Sequence, residues 1–356
     1  MNFIYIASFA SAFVVSFIGT VLVFRMAVRR KILDFPDTER RFHKQATPTL
    51  GGIAVYGSFF LVTLAVGIFG GYLLHGNIPL KVLAGIWAGG AILMFGGYLD
   101  ERYRLPPKYS ILFPALAGLA IVTSGVTAVS VHNPFNNGII LLDNLKLFGL
   151  PLVSGLVVFV WTLTITYTTK LLDGIDGLVT GVAAISALIL FGLSLTPQVN
   201  QPQTALLAVT FAGSLAGFLI LNFYPAKIFL GESGSTFAGF MLAVLAIVSG
   251  GKIATALLVM GIPLLDMVWV VFQRLRAGQS PFSGDRKHLH FKLLEVGLSE
   301  PQAVLFLYAL TGIFGVSALF LQSRGKLIAL VILILVMLAI IASIYSAFKE
   351  KNKRSE

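Results

Sequence analysis

The chain has 356 residues, of which 57% are hydrophobic and only 12% charged, against roughly 45–50% and 25% in an average soluble domain. So much apolar surface cannot be packed away in water. Apolar runs of the roughly 20 residues that cross a hydrocarbon core recur along the whole length, and the chain reads as an all-α, polytopic transmembrane helical bundle. It contains no cysteine, which excludes disulfides, thiolate nucleophiles and Cys-ligated metal centres together.

Eleven spans are predicted, at 3–24, 50–74, 80–99, 109–131, 151–170, 178–196, 204–222, 236–250, 253–273, 301–322 and 327–348, so that residues 1–356 form a single integral-membrane domain. The first span lacks a basic leader and is followed by Arg25, Arg29, Arg30 and Lys31, the reverse of a cleaved signal peptide. It is expected to remain, with its N-terminus outside. Alternating from there, only Lys81, Lys146, Lys252, Arg324 and Lys326 of the 26 Lys and Arg fall outside. The positive-inside rule therefore places the opposite connectors, and the C-terminus, in the cytoplasm. Topology and attraction to anionic membrane lipids account for the net charge of +11, with no nucleic acid invoked.

The acids are more telling than the bases. Of 15 Asp and Glu, only Asp143 lies in an outside connector, although acids contribute little to orientation. Asp100, Glu101, Asp173, Asp176 and Glu232 stand at span ends with few bases beside them, and a divalent cation is the simplest group to neutralise them.

In chain order, the first cytoplasmic connector (25–49) carries Pro36 and Pro48, which interrupt any continuous helix, and leads into Gly51-Gly52, which permits close backbone approach. Its Arg40, Arg41, His43 and Lys44 suit a phosphate, though taken alone they fit an ordinary basic juxtamembrane loop better. In the second (100–108), Asp100 and Glu101 repel one another, which fits a cation site or a helix end bridged to Arg102 and Arg104. The third (170–177) reads Lys170-Leu-Leu-Asp173-Gly174-Ile175-Asp176-Gly177. Two Asp three apart share a face if the turn is helical, whereas a Gly after each permits a tight non-helical backbone. Asp-Gly is also plain turn chemistry, but a tandem pair between two spans favours function.

The fourth connector (222–236) sets Gly231-Glu232-Ser233-Gly234-Ser235 before a helix start, where backbone N–H groups suit phosphate and Ser235 is the expected N-cap. The fifth (274–300) follows Asp266, an acid within an apolar span and so a functional suspect. Its centre, Arg286-Lys287-His288-Leu289-His290, suits a phosphate clamp better than zinc in a chain without Cys. On the outside, His75 and His132 read as loop residues, and Asn136-Asn137-Gly138 as a small hairpin.

Carboxylates, bases and Gly-rich turns at one membrane edge, without a Walker lysine motif, a Rossmann fingerprint or a Ser-His-Asp signature, point to Mg2+-assisted phosphoryl chemistry at the lipid–water boundary. In these five loops, in this order from about Asp34 to Gly297, the chain resembles the polyprenyl-phosphate N-acetylhexosamine-1-phosphate transferases. That resemblance implies transfer of a sugar 1-phosphate, with N-acetylglucosamine the expected sugar, from a UDP-sugar donor to undecaprenyl phosphate. UMP would be released, as the first membrane step of cell-envelope polysaccharide synthesis. It further implies Mg2+ as cofactor with Mn2+ as a substitute, a place in the cell inner (plasma) membrane with the active site facing the cytoplasm, and often a homodimer.

Residue by residue, the resemblance implies that Arg40, Arg41 and His43 bind phosphate and that Asp100 deprotonates the lipid phosphate. Asp173 and Asp176 fall on an Asp-Gly-x-Asp-Gly motif, with Asp176 near the uracil and Phe229 stacked on it. Glu232, with Glu101, falls at the metal, and His288 and His290, behind Arg286, on the sugar-phosphate loop. Lys170 and Gly174 complete the substrate-binding set. The chain also departs from the pattern. Glu101 and Glu232 stand where the family has Asp, Tyr167 and Lys170 replace two Asn, and Phe291 replaces a final His. A protonated lysine cannot ligate Mg2+, so Lys170 is expected to neutralise the diphosphate instead. Two other readings compete. A transporter would hold its ionisable groups near the bilayer midplane, and an inactive relative would bind lipid or nucleotide without turnover.

Overall fold

The computed structural model describes residues 2–35, 46–70, 72–73, 78–127, 130–132, 139–141, 146–147, 150–249, 253–280 and 287–355. His75, the 136–138 turn and the predicted site residues Arg40, Arg41, His43 and Arg286 lie outside the described residues. The helices are α1 (Asn2–Arg29), α2 (Gly51–Gly70), α3 (Leu80–Tyr103), α4 (Pro107–Ser110), α5 (Leu112–Thr123), α6 (Leu152–Leu172), α7 (Leu178–Ser194), α8 (Pro202–Asn222), α9 (Gly231–Val248), α10 (Ile253–Val259), α11 (Gly261–Arg276), α12 (Leu289–Val296), α13 (Glu300–Phe320) and α14 (Ser323–Ser355). In hydrocarbon every peptide group must find its partner inside its own segment, and for these apolar runs that means helix.

Among the described residues eight helices, α1, α2, α3, α6, α8, α9, α13 and α14, are long and apolar enough to cross a membrane. The other three predicted spans are built from shorter pieces: α4 with α5, α7, and α10 with α11. The last of these breaks at Met260 because Pro263 has no N–H to offer the Val259 carbonyl. Large apolar residues stay exposed along the outer stripes, such as Ile6, Val14, Ile18 and Leu22 on α1 and Ile328, Val331, Leu335 and Leu338 on α14. Lipid tails cover such stripes at no cost, so they need no protein partner.

The bundle is centred on α9, in which every residue from Ser233 to Ile247 is buried and which packs on α2, α3, α6 and α7. Helices gain little from hydrophobic burial against one another in lipid and rely on close backbone approach at small residues. Gly239 of α9 accordingly lies against Thr169 of α6, and Gly213 and Gly217 of α8 against the backbone of Phe9 and Phe13 on α1. Phe237 of α9 fills the space between, its ring edge-on to Tyr56, Phe59 and Phe211 at 5.3, 6.1 and 5.7 Å.

Strand pairing is confined to short ribbons. Strands β1 (Leu33–Asp34) and β2 (Thr47–Pro48) run antiparallel with Leu33 opposite Pro48 and Asp34 opposite Thr47. The pairing continues onto the chain before α9: Phe229 N–H donates to Pro48 O (2.8 Å), Gly51 N–H to Phe229 O (3.0 Å) and Gly52 N–H to Leu230 O (2.8 Å). Two connectors far apart in sequence are thereby tied together. Strands β3 (Ser130–His132) and β4 (Ile139–Leu141), on either side of the expected 136–138 turn, pair antiparallel, as do β5 (Lys146–Leu147) and β6 (Leu150–Pro151).

Candidate active site

The connectors that the charge pattern places on one side converge on a cavity of about 1010 Å³. Asp100 and Glu101 reach it from the end of α3, Lys170 from the end of α6, and Asp173, Gly174 and Asp176 from the turn that follows. Phe229 and Glu232 reach it from the approach to α9 and its first turn, and Glu300 from the start of α13. Residues spread over 200 positions of sequence thus share one wall.

The Asp173–Gly177 segment is a tight turn rather than a helix, so the glycines, not a helical face, bring both carboxylates to the cavity. Helix α6 stops at Leu172, and α7 starts after Gly177 at φ +76°, a left-handed value that glycine adopts without strain. A side chain at Gly174 would collide with the His290 and Phe291 rings. The Tyr308 hydroxyl of α13 donates to Gly177 O at 2.5 Å, which pins the turn from the other side. Asp176 Oδ2 accepts the Ala226 N–H at 2.8 Å and links the turn to the loop that carries Phe229.

Helix α9 begins five residues earlier than its predicted span, at Gly231 with φ +77°. Glu232 is therefore in its first turn and Ser235 stands one turn after Gly231. The expectation that Ser235 caps the helix is corrected: its hydroxyl donates back to Gly231 O at 3.0 Å. Glu101 stands at that helix end instead. Its Oε2 takes the Thr49 hydroxyl at 2.7 Å and its Oε1 is buried beside Gly231, at the N-terminal end of α9. Gly52 of α2 and Gly97 of α3 allow this convergence, since a Cβ at either would run into the Ser233–Gly234 backbone.

Glu232 is paired within the chain. Lys170 Nζ contacts its Oε1 and donates to Ser110 Oγ at 3.2 Å, while Ser110 Oγ lies 3.4 Å from the same Glu232 oxygen. The charge of Glu232 also acts on Asp100, Glu101 and Asp173. The Asp173 side chain faces the cavity and is accessible from it. The protein packed around it, with the charges of Glu232 and Asp176 added and the Ser235 hydroxyl opposing, pushes its carboxyl up to about 7.

The two histidines stand behind the cavity wall, not on it. His288 Nδ1 lies 2.8 Å from Asp266 Oδ2, whose other oxygen accepts the Leu289 N–H at 2.7 Å. The suspect Asp266 thus holds the start of α12. His290 is fully buried, parallel to His288 with centroids 5.9 Å apart, and neither of its ring nitrogens has a hydrogen-bond partner among the described residues. Burial, with His288 beside it, drives His290 down to about 3, so it is neutral. Phe291 is the member of this motif that reaches the cavity.

Thr49, Ser110 and Glu300 belong to this constellation and were not singled out from sequence. Thr49 and Ser110 look like ordinary span-end hydroxyls, and Glu300 like a helix-start acid. As for the expected Mg2+, the donors fit in kind, since carboxylate oxygens are what a hard cation takes and Mg2+ commonly needs only one or two of them beside substrate phosphates. A ready-made cage is absent: no three His, Asp or Glu among the described residues are placed to hold an ion.

The sequence profile described as glycosyl transferase family 4 matches residues 83–250. A probable undecaprenyl-phosphate N-acetylglucosaminyl 1-phosphate transferase of Bacillus subtilis is 28% identical, with 90% of this chain and 87% of the relative covered. The decaprenyl-phosphate N-acetylglucosaminephosphotransferase of Mycobacterium tuberculosis is 32% identical over 88% of this chain and 82% of its own length. The undecaprenyl-phosphate alpha-N-acetylglucosaminyl 1-phosphate transferase of Escherichia coli K12 is 29% identical over 80% and 76%. Likeness of this extent makes the chain a member of glycosyl transferase family 4.

Proposed function

We propose that this protein transfers N-acetylglucosamine 1-phosphate from UDP-N-acetylglucosamine to undecaprenyl phosphate and releases UMP. The observation that carries the reading is the single cavity in which Asp100, Asp173, Asp176 and Glu232 meet Lys170 and Phe229. Its volume of about 1010 Å³ stands at the upper end of ligand sites, about 300–1,000 Å³, as two substrates require. Every lining segment is a connector that the Lys and Arg distribution assigns to the cytoplasm. In this reading the protein lies in the plasma membrane, the nucleotide enters from the cytoplasm and the lipid acceptor arrives sideways between spans.

The favoured route is direct. An oxygen of the lipid phosphate attacks the β-phosphorus of the donor, the bond from that phosphorus to the oxygen bridging the α-phosphate breaks, and UMP leaves with the bridging oxygen. Phosphoryl transfer depends mainly on positioning and charge stabilisation. Phe229 offers the uracil a stacking face. Asp176, fixed by the Ala226 N–H, positions the base beside it. A phosphate monoester loses its second proton near pH 6, so Asp100 has only a residual proton to remove from the acceptor. Asp100 and Asp173 are the carboxylates that would hold Mg2+, which supplies positive charge to the diphosphate when bound.

The test is UMP release by the purified protein in nanodiscs with undecaprenyl phosphate and a panel of UDP-sugars. UDP-N-acetylglucosamine is expected to be the best donor. Asp100→Asn and Asp173→Asn should each abolish release while the protein stays folded. Near-normal turnover in both, or uptake of a UDP-sugar into proteoliposomes without UMP formation, would overturn the proposal.

A further inference from the structure

Lys170 sits on the carboxylate that would otherwise be open to a metal. Its ammonium contacts Glu232 Oε1 and donates to Ser110 Oγ at 3.2 Å, and it lies 5.6 Å from the ring centroid of Tyr167, one turn earlier on α6. Three neighbours of different kinds thus hold one cation: a charge, a hydroxyl lone pair and an aromatic face. The Lys170 and Glu232 side chains are only 26% and 17% exposed, and both line the cavity. An ammonium group has donors only and cannot be a metal ligand. A divalent ion could reach that Glu232 oxygen only by displacing it against direct charge repulsion. Asp100 and Asp173, by contrast, face the same cavity with no ion pair to Lys, Arg or His among the described residues, and the charge of Lys170 reaches Asp100 as well.

We infer that the Lys170 ammonium is a resident counter-ion that takes the place of a divalent cation at Glu232, so that Glu232 is not a metal ligand in this chain. The inference deepens the transferase reading and rests on it. A fixed positive charge then stands in the cavity before the donor arrives, cradled by Tyr167 and Ser110. Any Mg2+ that accompanies the diphosphate is held without Glu232.

Binding of Mn2+ to the full-length protein in nanodiscs, followed by the EPR signal of the free ion, tests this without turnover. UMP release reports separately on the transferase reading. The double variant Lys170→Met with Glu232→Gln conserves the net charge of the pair, and its Mn2+ affinity should stay within about twofold of wild type. Lys170→Asn alone uncovers a carboxylate and should raise Mn2+ affinity at least about tenfold, a gain that adding Glu232→Gln removes. A loss of about tenfold or more in the double variant would show that Glu232 is a ligand after all. So would the absence of any gain in a Lys170→Asn protein that melts like wild type. If Lys170→Asn does not fold, the charge-conserving double variant decides the question.

Discussion

Replacing Gly97 with alanine tests whether the cavity depends on how closely α3 approaches α9. The added methyl would fall about 1 Å inside the 3.4 Å limit of ordinary van der Waals contact with Ser233. The atoms it meets are the Ser233 N, Cα and Cβ, which belong to or adjoin the backbone and cannot swing aside. Overpacking of this kind costs about 1–3 kcal/mol, which lowers the melting temperature by several degrees. Gly97 lies one turn before Asp100 and Glu101 on the same helix, so relief of the clash moves Asp100 away from Glu232 by a comparable distance. A misplacement near 1 Å costs on the order of 10²-fold in rate. The control is Gly57→Ala on α2, where an added Cβ meets nothing within 4 Å and alanine is the better helix former by roughly 0.5–1 kcal/mol. UMP release and melting temperature, measured on both variants in nanodiscs, give the comparison. A Gly97→Ala protein that turns over at the wild-type rate would refute the claim that the α3–α9 distance sets the site.

Two further substitutions probe single contacts. Thr49→Val removes the 2.7 Å donor to Glu101 Oε2 and leaves a buried acid without it; a buried polar group left unsatisfied costs about 1–3 kcal/mol. The melting temperature should fall and recover in Thr49→Ser, and an unchanged Thr49→Val would remove Glu101 from its assigned role at the start of α9. His290→Phe tests the buried imidazole through pH. Its folded pKa, lowered to about 3 from 6.5, means that the unfolded chain takes up the proton first, so stability is complete above pH 6.5 and is lost as pH falls. At pH 5.5 the loss is on the order of 1 kcal/mol. Asp173 acts in the opposite sense: raised from 3.8 to about 7, it binds a proton in the folded state first, and acidification through that window strengthens the fold. Asp173 is common to wild type and His290→Phe, so the difference between their pH–stability curves isolates the imidazole. Parallel curves would contradict its burial in the neutral form.

The helical bundle and the membership of the five connectors were legible because polar residues at span ends stand out against an apolar background, and because a Gly beside each Asp announces a tight turn. What the sequence could not reveal were pairings between distant segments. Lys170 meets Glu232 across 62 positions and Thr49 meets Glu101 across 52; periodicity and local propensity carry no information on either. Nor could the sequence reveal that the Glu101 carboxylate stands at the end of another helix. His288 and His290 read as surface ligands for the same reason: only the fold shows Asp266 behind them, 22 positions earlier. The early start of α9 follows from Gly231 and from Glu101 at the helix end, neither of which a hydropathy window detects.

Stability and chemistry meet at the same small residues. Because helices in lipid approach through glycine, the distances among α3, α6 and α9 are set by contacts that carry no functional groups. Gly97 faces Ser233, which fixes the end of α3 and with it Asp100; Gly239 faces Thr169, which fixes the end of α6 and with it Lys170. Both contacts converge on α9, whose first turn bears Glu232. A cavity built from the ends of packed helices therefore inherits its precision from the bundle interior. The glycine contacts below it govern whether Asp100, Lys170 and Glu232 stand close enough to share one substrate.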